Sequence, residues 1–221
     1  MIRLCACVIA VLVLSINRNV SAGIFEVHIE QVSAPLDGEK LSIGGTIRIG
    51  KKINWGDKAP ENCLQKKSWQ SLFCIENVNW DNVDAGLFNV RSALYNGRKA
   101  VVRYKNKKLN DAYVLLPEDK FVDVLKVLQK KYGPPTERQI IWVSVMAAPK
   151  VANSIYRWKA LNKEGDVGDI LEIRSIDDQR LTFADLRFAS LRLYQAGQQP
   201  IFRQLSMSDM VIFNKRRLAP E

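Results

Sequence analysis

The sequence contains one histidine, His28, and four cysteines, two of which (Cys5 and Cys7) fall in the first apolar run. A Ser-His-Asp or Cys-His site would therefore depend on His28. It occupies a polar position of an alternating segment, where an exposed imidazole is the ordinary outcome. No Gly-x-Ser-x-Gly elbow, His-Glu-x-x-His pair, P-loop or Gly-x-Gly-x-x-Gly run occurs. Asp166, Asp169, Asp177 and Asp178 miss the spacing of a calcium loop and read as turn residues. A structural zinc site needs four ligands, so no metal and no cofactor are expected. No catalytic residue is nominated and the balance is against an enzyme, with a carboxylate pair that meets only in the folded chain left open. Glycine (12) and proline (8) are not elevated, which argues against disorder.

The first 22 residues run from a positive charge at Arg3 through an apolar stretch, Leu4 to Ile16, to Val20-Ser21-Ala22 before Gly23. That order is expected of a secretory signal peptide, and an apolar core of about 13 residues falls short of the roughly 20 that span a bilayer. The expectation is an exported protein, periplasmic or secreted from a bacterium, that is soluble and does not span the membrane after cleavage. Losing Arg3 and Arg18 lowers the net charge of +10 by two. Cys63 and Cys74 then form an even pair in an oxidising compartment, and a disulfide is expected. It closes a loop worth roughly 3 kcal/mol in the chain-entropy model, pinning the irregular stretch 51–70 onto a strand at 72–75.

Basic residues recur in short clusters, among them Lys51-Lys52, Lys66-Lys67, Lys130-Lys131 and Lys105-Asn106-Lys107-Lys108. Dispersed clusters suit a solvated surface. They also suit an acidic partner, such as an envelope protein or an anionic surface of lipid headgroups. Export and the lack of a binding motif argue against nucleic acid. The candidate contact surface is Lys105, Lys107 and Lys108 on a hairpin tip, with Trp55, Trp69 and Trp80 around the disulfide. Those tryptophans equally suit the cover of a loop-rich core.

Alternation of Phe25, Val27 and Ile29 with polar residues predicts a first strand, and Leu41, Ile43, Ile47 and Ile49 predict a second, bent at Gly44-Gly45. Residues 87–95, 99–104 and 109–116 read as a meander whose first turn is Asn96-Gly97. Phe121, Val124, Leu125, Leu128 and Tyr132 define one face of a helix over 118–132, with acids first, Lys130-Lys131 last and Gly133 as its stop. Strands follow at 139–146, 154–161, 169–176 and 181–194, the last with a helix from Phe183 as an alternative. A short closing helix is placed at 201–214. The expected fold is α+β: mostly antiparallel sheet with one main amphipathic helix (118–132) packed on a face. A β-rich lobe at 23–116 holds the disulfide, and a helix-plus-meander lobe at 117–221 is separate from it or continuous with it.

The helix, the run Lys131-Tyr132-Gly133-Pro134-Pro135, the strand after it and Trp158 on a later strand resemble the helix–"YG-P"–β-meander unit of small exported bacterial proteins. These include periplasmic domains and, more coarsely, domains similar to the small outer-membrane assembly lipoprotein or to β-lactamase-inhibitor proteins. The resemblance covers 117–176, and the chain departs from it in lacking a lipid-attachment cysteine and a second disulfide. It implies a non-catalytic accessory or binding protein of the cell envelope. The competing expectations are a secreted hydrolase or carbohydrate binder using acidic residues and exposed tryptophans, and an inhibitor of a secreted enzyme with a rigid loop near Cys63–Cys74.

Overall fold

The computed structural model describes residues 28–38, 40–56, 58–66, 70–81, 86–88, 97–206 and 208–209. The expected leader 1–22, Phe25, Val27, Trp69, most of the expected strand 87–95, Asn96 and the chain from 210 onward lie outside these residues. The strands are β1 (His28–Gln31), β2 (Cys63–Lys66), β3 (Ser71–Asn77), β4 (Lys99–Lys105) and β5 (Lys108–Pro117), followed by β6 (Glu137–Val145), β7 (Ala148–Leu161), β8 (Val167–Arg174) and β9 (Phe188–Gln195). A 3₁₀ turn (Glu118–Lys120) leads into the helix α1 (Phe121–Tyr132) between β5 and β6.

All nine strands form one sheet in the order β1-β6-β7-β8-β9-β5-β4-β3-β2, every neighbouring pair antiparallel. Two meanders, β2–β5 and β6–β9, are joined edge to edge where β5 pairs with β9 from Asp111↔Tyr194 to Pro117↔Phe188. The sheet thus runs across the 116/117 boundary. After β5 the chain crosses the sheet through α1, enters β6 on the far side and returns strand by strand to β5.

The expected α+β class is overturned by this arrangement, which is all-β in type. A nine-stranded sheet supplies the core on both faces, and the helix α1 contributes a short apolar stripe, Val124, Leu128 and Tyr132. The period-3.6 signal was real but local, because strand residues such as Leu72, Val102, Leu116, Leu171 and Leu193 form most of the core it joins. Residues 181–187, expected in strand or helix, form a loop, and strand resumes only at Phe188. The expected closing helix is reduced to a 3₁₀ turn at Ile201–Arg203 and a helical pair at Ser208 and Asp209. Ile29 is 57% exposed because β1 is an edge strand.

The two faces differ in kind. One is apolar: α1 covers it together with Leu41, Ile43 and Ile47, and Trp158 lies fully buried beneath. Trp158 Nε1 donates to the Gly133 carbonyl at 3.1 Å, and the Tyr132 hydroxyl accepts from the Ser42 backbone N–H at 3.0 Å. The helix C-terminus is thereby fixed to both β7 and the N-terminal segment. The other face holds a smaller apolar cluster, Phe73, Ile75, Val101, Tyr113 and Leu115, under Ile201 and Leu205. Beside it lie the charged side chains of Asp111, Glu137, Arg157, Glu172, Arg174 and Arg192.

Residues 41–49 were expected in a bent strand and instead form a plug closed by a tight turn. Ile43 and Ile47 exchange backbone hydrogen bonds at 3.0 and 3.2 Å around Gly44 (φ 51°) and Gly45 (φ 64°). A Cβ on Gly44 would lie 2.6 Å from Val78 Cγ1 and 2.8 Å from the Asn79 carbonyl oxygen, whereas a Cβ on Gly45 meets nothing within 4 Å. Gly45→Ala should cost about 1–2 kcal/mol for the left-handed backbone alone. Gly44→Ala should cost about 1–3 kcal/mol more, because the clash is with backbone as well as side chain. Urea unfolding of the two variants checks the difference, and equal losses would contradict the packing described.

Candidate functional site

Charged side chains inside otherwise apolar strands build a continuous network on the second face. Register places Glu137 opposite Arg157, Arg157 opposite Glu172 and Glu172 opposite Arg192, an alternating row across β6, β7, β8 and β9. Arg157 bridges Glu137 and Glu172, the latter at 2.5 Å, and Lys159 reaches Glu137 at 2.5 Å. Arg174 donates from Nε to Glu172 at 2.7 Å and from Nη1 to both oxygens of Asp178 at 2.9 Å. On β9, Arg192 grips Asp111 of β5 bidentately at 3.0 and 2.8 Å, and Arg103 of β4 approaches the same carboxylate at 3.4 Å. Gln198 completes this end by accepting from Arg103 and, through its carbonyl, from Arg192.

The electrostatics follow from burial and pairing. Burial alone would push the Glu172 carboxyl up, but Arg174 and Arg157 outweigh it and hold it down at about 2. A carboxylate so held cannot serve as a general acid near neutral pH. Burial raises the Asp111 carboxyl above its ordinary value, against the opposing pull of Arg192 and Arg103. Burial also raises the Tyr113 hydroxyl, reinforced by Asp177, to which it donates at 2.5 Å.

Beside this network lie two clefts that share Leu181 and Thr182. The polar one, about 500 Å³, opens between the 178–182 loop and the 3₁₀ turn at Ile201–Arg203, and is lined by Arg174, Asp178, Gln179, Arg180 and Arg203. Its side chain Gln179 donates to Glu172 at 3.2 Å, yet its Oε1 is enclosed and accepts no hydrogen bond among the described residues. Such a deficit costs about 1–3 kcal/mol. The apolar cleft, about 660 Å³, is bounded by the β6–β7 turn and the 181–187 loop.

The sequence-nominated residues occupy other places. Cys63 and Cys74 face each other directly on β2 and β3 as a disulfide. The bridge staples a hairpin, where the sequence suggested that it pins an irregular connection. Trp55 and Trp80 are both half-buried against the apolar core but lie near opposite ends of β4. Trp80 donates to the Gly97 carbonyl at 2.7 Å, just before the strand, and Lys107 Nζ sits 5.9 Å from the Trp55 ring, just after it. They do not form one aromatic patch. Trp69 lies outside the described residues, as does the His28 side chain.

Lys105, Lys107 and Lys108 are exposed on the β4–β5 turn. Lys105 pairs across the ladder with Lys108, which is bridged in turn to Lys52 on the neighbouring segment. Lys51 and Lys66 are neutralised by Glu76 and Asp209, but Lys52, Lys105, Lys107 and Lys108 have no ion pair among the described residues. No family model, curated protein or solved structure matches the chain at significant similarity. Among the described residues there is no group of three or more His, Cys, Asp or Glu able to hold a metal, and no helix long and apolar enough to cross a membrane.

The network and the clefts escaped sequence reading, although a signal existed. Arg103 within VVRYK, Asp111 within NDAYVLL and Arg192 within SLRLY are single charges inside strands. Unpaired, each would be prohibitive to bury, so opposite signs on separate strands imply mutual pairing. Glu172→Gln deprives the half-buried Arg157 and Arg174 of the carboxylate they share, leaving them Glu137 and Asp178, and should cost about 1–3 kcal/mol at pH 7. Because the folded value lies below the unfolded one, the stability from Glu172 is present above pH ~4.5 and is lost as pH falls toward about 2. The variant should therefore lose less stability than wild type over that window, as measured by denaturant unfolding at pH 7 and pH 3.

Proposed function

We propose that this chain is a non-catalytic binding protein of the bacterial cell envelope, exported to the periplasm or beyond, which meets an acidic partner through the β4–β5 turn. The observation that carries this reading is the cost accepted at that turn. Asn106 (φ 51°) and Lys107 (φ 61°) both adopt left-handed backbone, a turn for which Asn-Gly is the favoured pair. Lysine stands where glycine would be unstrained. Lys105, Lys108 and Lys52 add like charges on adjacent strands, an arrangement that destabilises a sheet. Positive charge is concentrated here at the expense of local stability, as a contact surface for acidic protein or anionic headgroups requires. The order of charge, apolar core and small residues in 1–22 supports export.

The triple variant Lys105→Ala/Lys107→Ala/Lys108→Ala should lose most binding to anionic vesicles and to acidic envelope proteins at low salt. Wild-type binding should itself weaken sharply as salt is raised. Undiminished capture by the triple variant would sink the reading.

A second measurement separates function from folding at this turn. Lys107→Gly should stabilise the protein by about 1 kcal/mol in urea unfolding while weakening the same binding. A variant that is less stable than wild type would show that lysine serves the fold.

A further inference from the structure

We infer that the loop end of the sheet, opposite the lysine turn, binds a single anionic amphiphile, its acidic head in the polar cleft and its hydrocarbon chain in the apolar one. The inference does not rest on the envelope-binding reading, which concerns the other end of the molecule. Four large apolar side chains stand exposed at one place: Met146 (70%), Leu186 (45%), Phe183 (42%) and Leu181 (41%). They line the cleft of about 660 Å³ together with Val145, a volume within the range of small-molecule sites. Exposed apolar surface gathered in a concavity, not scattered, marks a binding surface.

Charge complementarity fixes the chemistry of the occupant. In the adjoining cleft Arg174, Arg180 and Arg203 stand beside the carboxylate of Asp178. Arg174 is matched by Glu172 and Asp178, and Arg180 by Asp177 and Asp185. Arg203 is the surplus, exposed and with no ion pair among the described residues. Arg174 spends Nε and Nη1 on its carboxylates, leaving Nη2 to donate. Two guanidinium groups with donors to spare suit a carboxylate or phosphate head. Leu181 and Thr182 belong to both clefts, so one molecule can pass from the arginines to the apolar wall without leaving the surface. A peptide would also need main-chain partners, and the 181–187 loop is not a strand edge.

Calorimetry with dodecanoate below its micellar concentration tests this on the intact protein. Dodecanoate should bind saturably at one site, with acetate and dodecyltrimethylammonium at least about tenfold weaker. Arg203→Glu and Phe183→Ser alter exposed side chains that the fold does not need, and each should weaken dodecanoate by about tenfold or more. The triple lysine variant should bind it as wild type does. Four results would overturn the inference. These are equal affinity for the cationic amphiphile, unchanged affinity in both single variants, loss of binding in the lysine variant, or binding to vesicles without saturable binding of the monomer. The last would make the patch a bilayer-docking surface.

Discussion

The pairing of Asp111 with Arg192 holds the two halves of the sheet in register. Asp111 is fully buried on β5, Arg192 nearly so on β9, and these two strands are the seam between the meanders. Buried ion pairs add little net stability, since desolvation offsets attraction. Their effect is on choice of structure. A slip of one residue along the seam would turn Arg192 onto the apolar face and leave Asp111 alone in a low-dielectric interior. Arg103 from β4 approaches the same carboxylate, and Gln198 from the chain after β9 accepts from both arginines, so the cluster couples three strands and the segment that follows them. The alternating row Glu137–Arg157–Glu172 carries the same logic outward through β8 and β7 to β6.

This constraint sets the character of both faces. Placing most of the buried charges on one side of the sheet leaves the other largely apolar, a surface that α1 and the plug at residues 41–47 cover with few polar groups to satisfy, among them Trp158 Nε1 and the Tyr132 hydroxyl. It also explains why the helix contributes little to fold class: it closes a core that the strands have already defined. On the charged face the network needs shielding from water, and the loop 175–187 and the C-terminal 3₁₀ turn supply it. The clefts are the gaps left between those two covers and the strands beneath them.

What was legible in the sequence was whatever depends on near neighbours. The helix over 118–132 was readable because Val124, Leu128 and Tyr132 repeat at its period and Gly133 stops it. Strands β4 and β5 were readable from the Asn96-Gly97 turn signal ahead of them and from the polar turn between them. The class was misjudged because a single strong helical signal outweighed many weak strand signals, each four to fourteen residues long. The segment 181–194 failed for a specific reason. Leu181, Phe183 and Leu186 are apolar yet exposed, so the premise that apolar residues mark buried elements did not hold there. Strand β2 was hidden because Cys63 and Leu64 are its only inward residues, and they read as part of an irregular stretch. The lysine turn was legible as an exposed basic turn, whereas the grouping of arginines at the polar cleft was not. Its members come from β8, the 178–182 loop and the 3₁₀ turn, and only tertiary structure brings them together.

The edges of the sheet bear on where a partner can bind. An open antiparallel sheet ends in unpaired backbone groups that invite further strands. Both edges here are short, four residues in β1 and four in β2, and β2 is tied to β3 by the disulfide. Lys66, at the end of β2, is engaged by Asp209. A partner adding a strand would gain few hydrogen bonds at either side. The backbone free of the ladder lies at the ends of the sheet, in its turns and loops. One end concentrates lysines that have no ion pair among the described residues, and the other concentrates exposed apolar side chains beside Arg203, which has none among them either. The same long-range pairing that fixes the centre of the sheet leaves those two ends free to carry strained or exposed residues that a core could not accept.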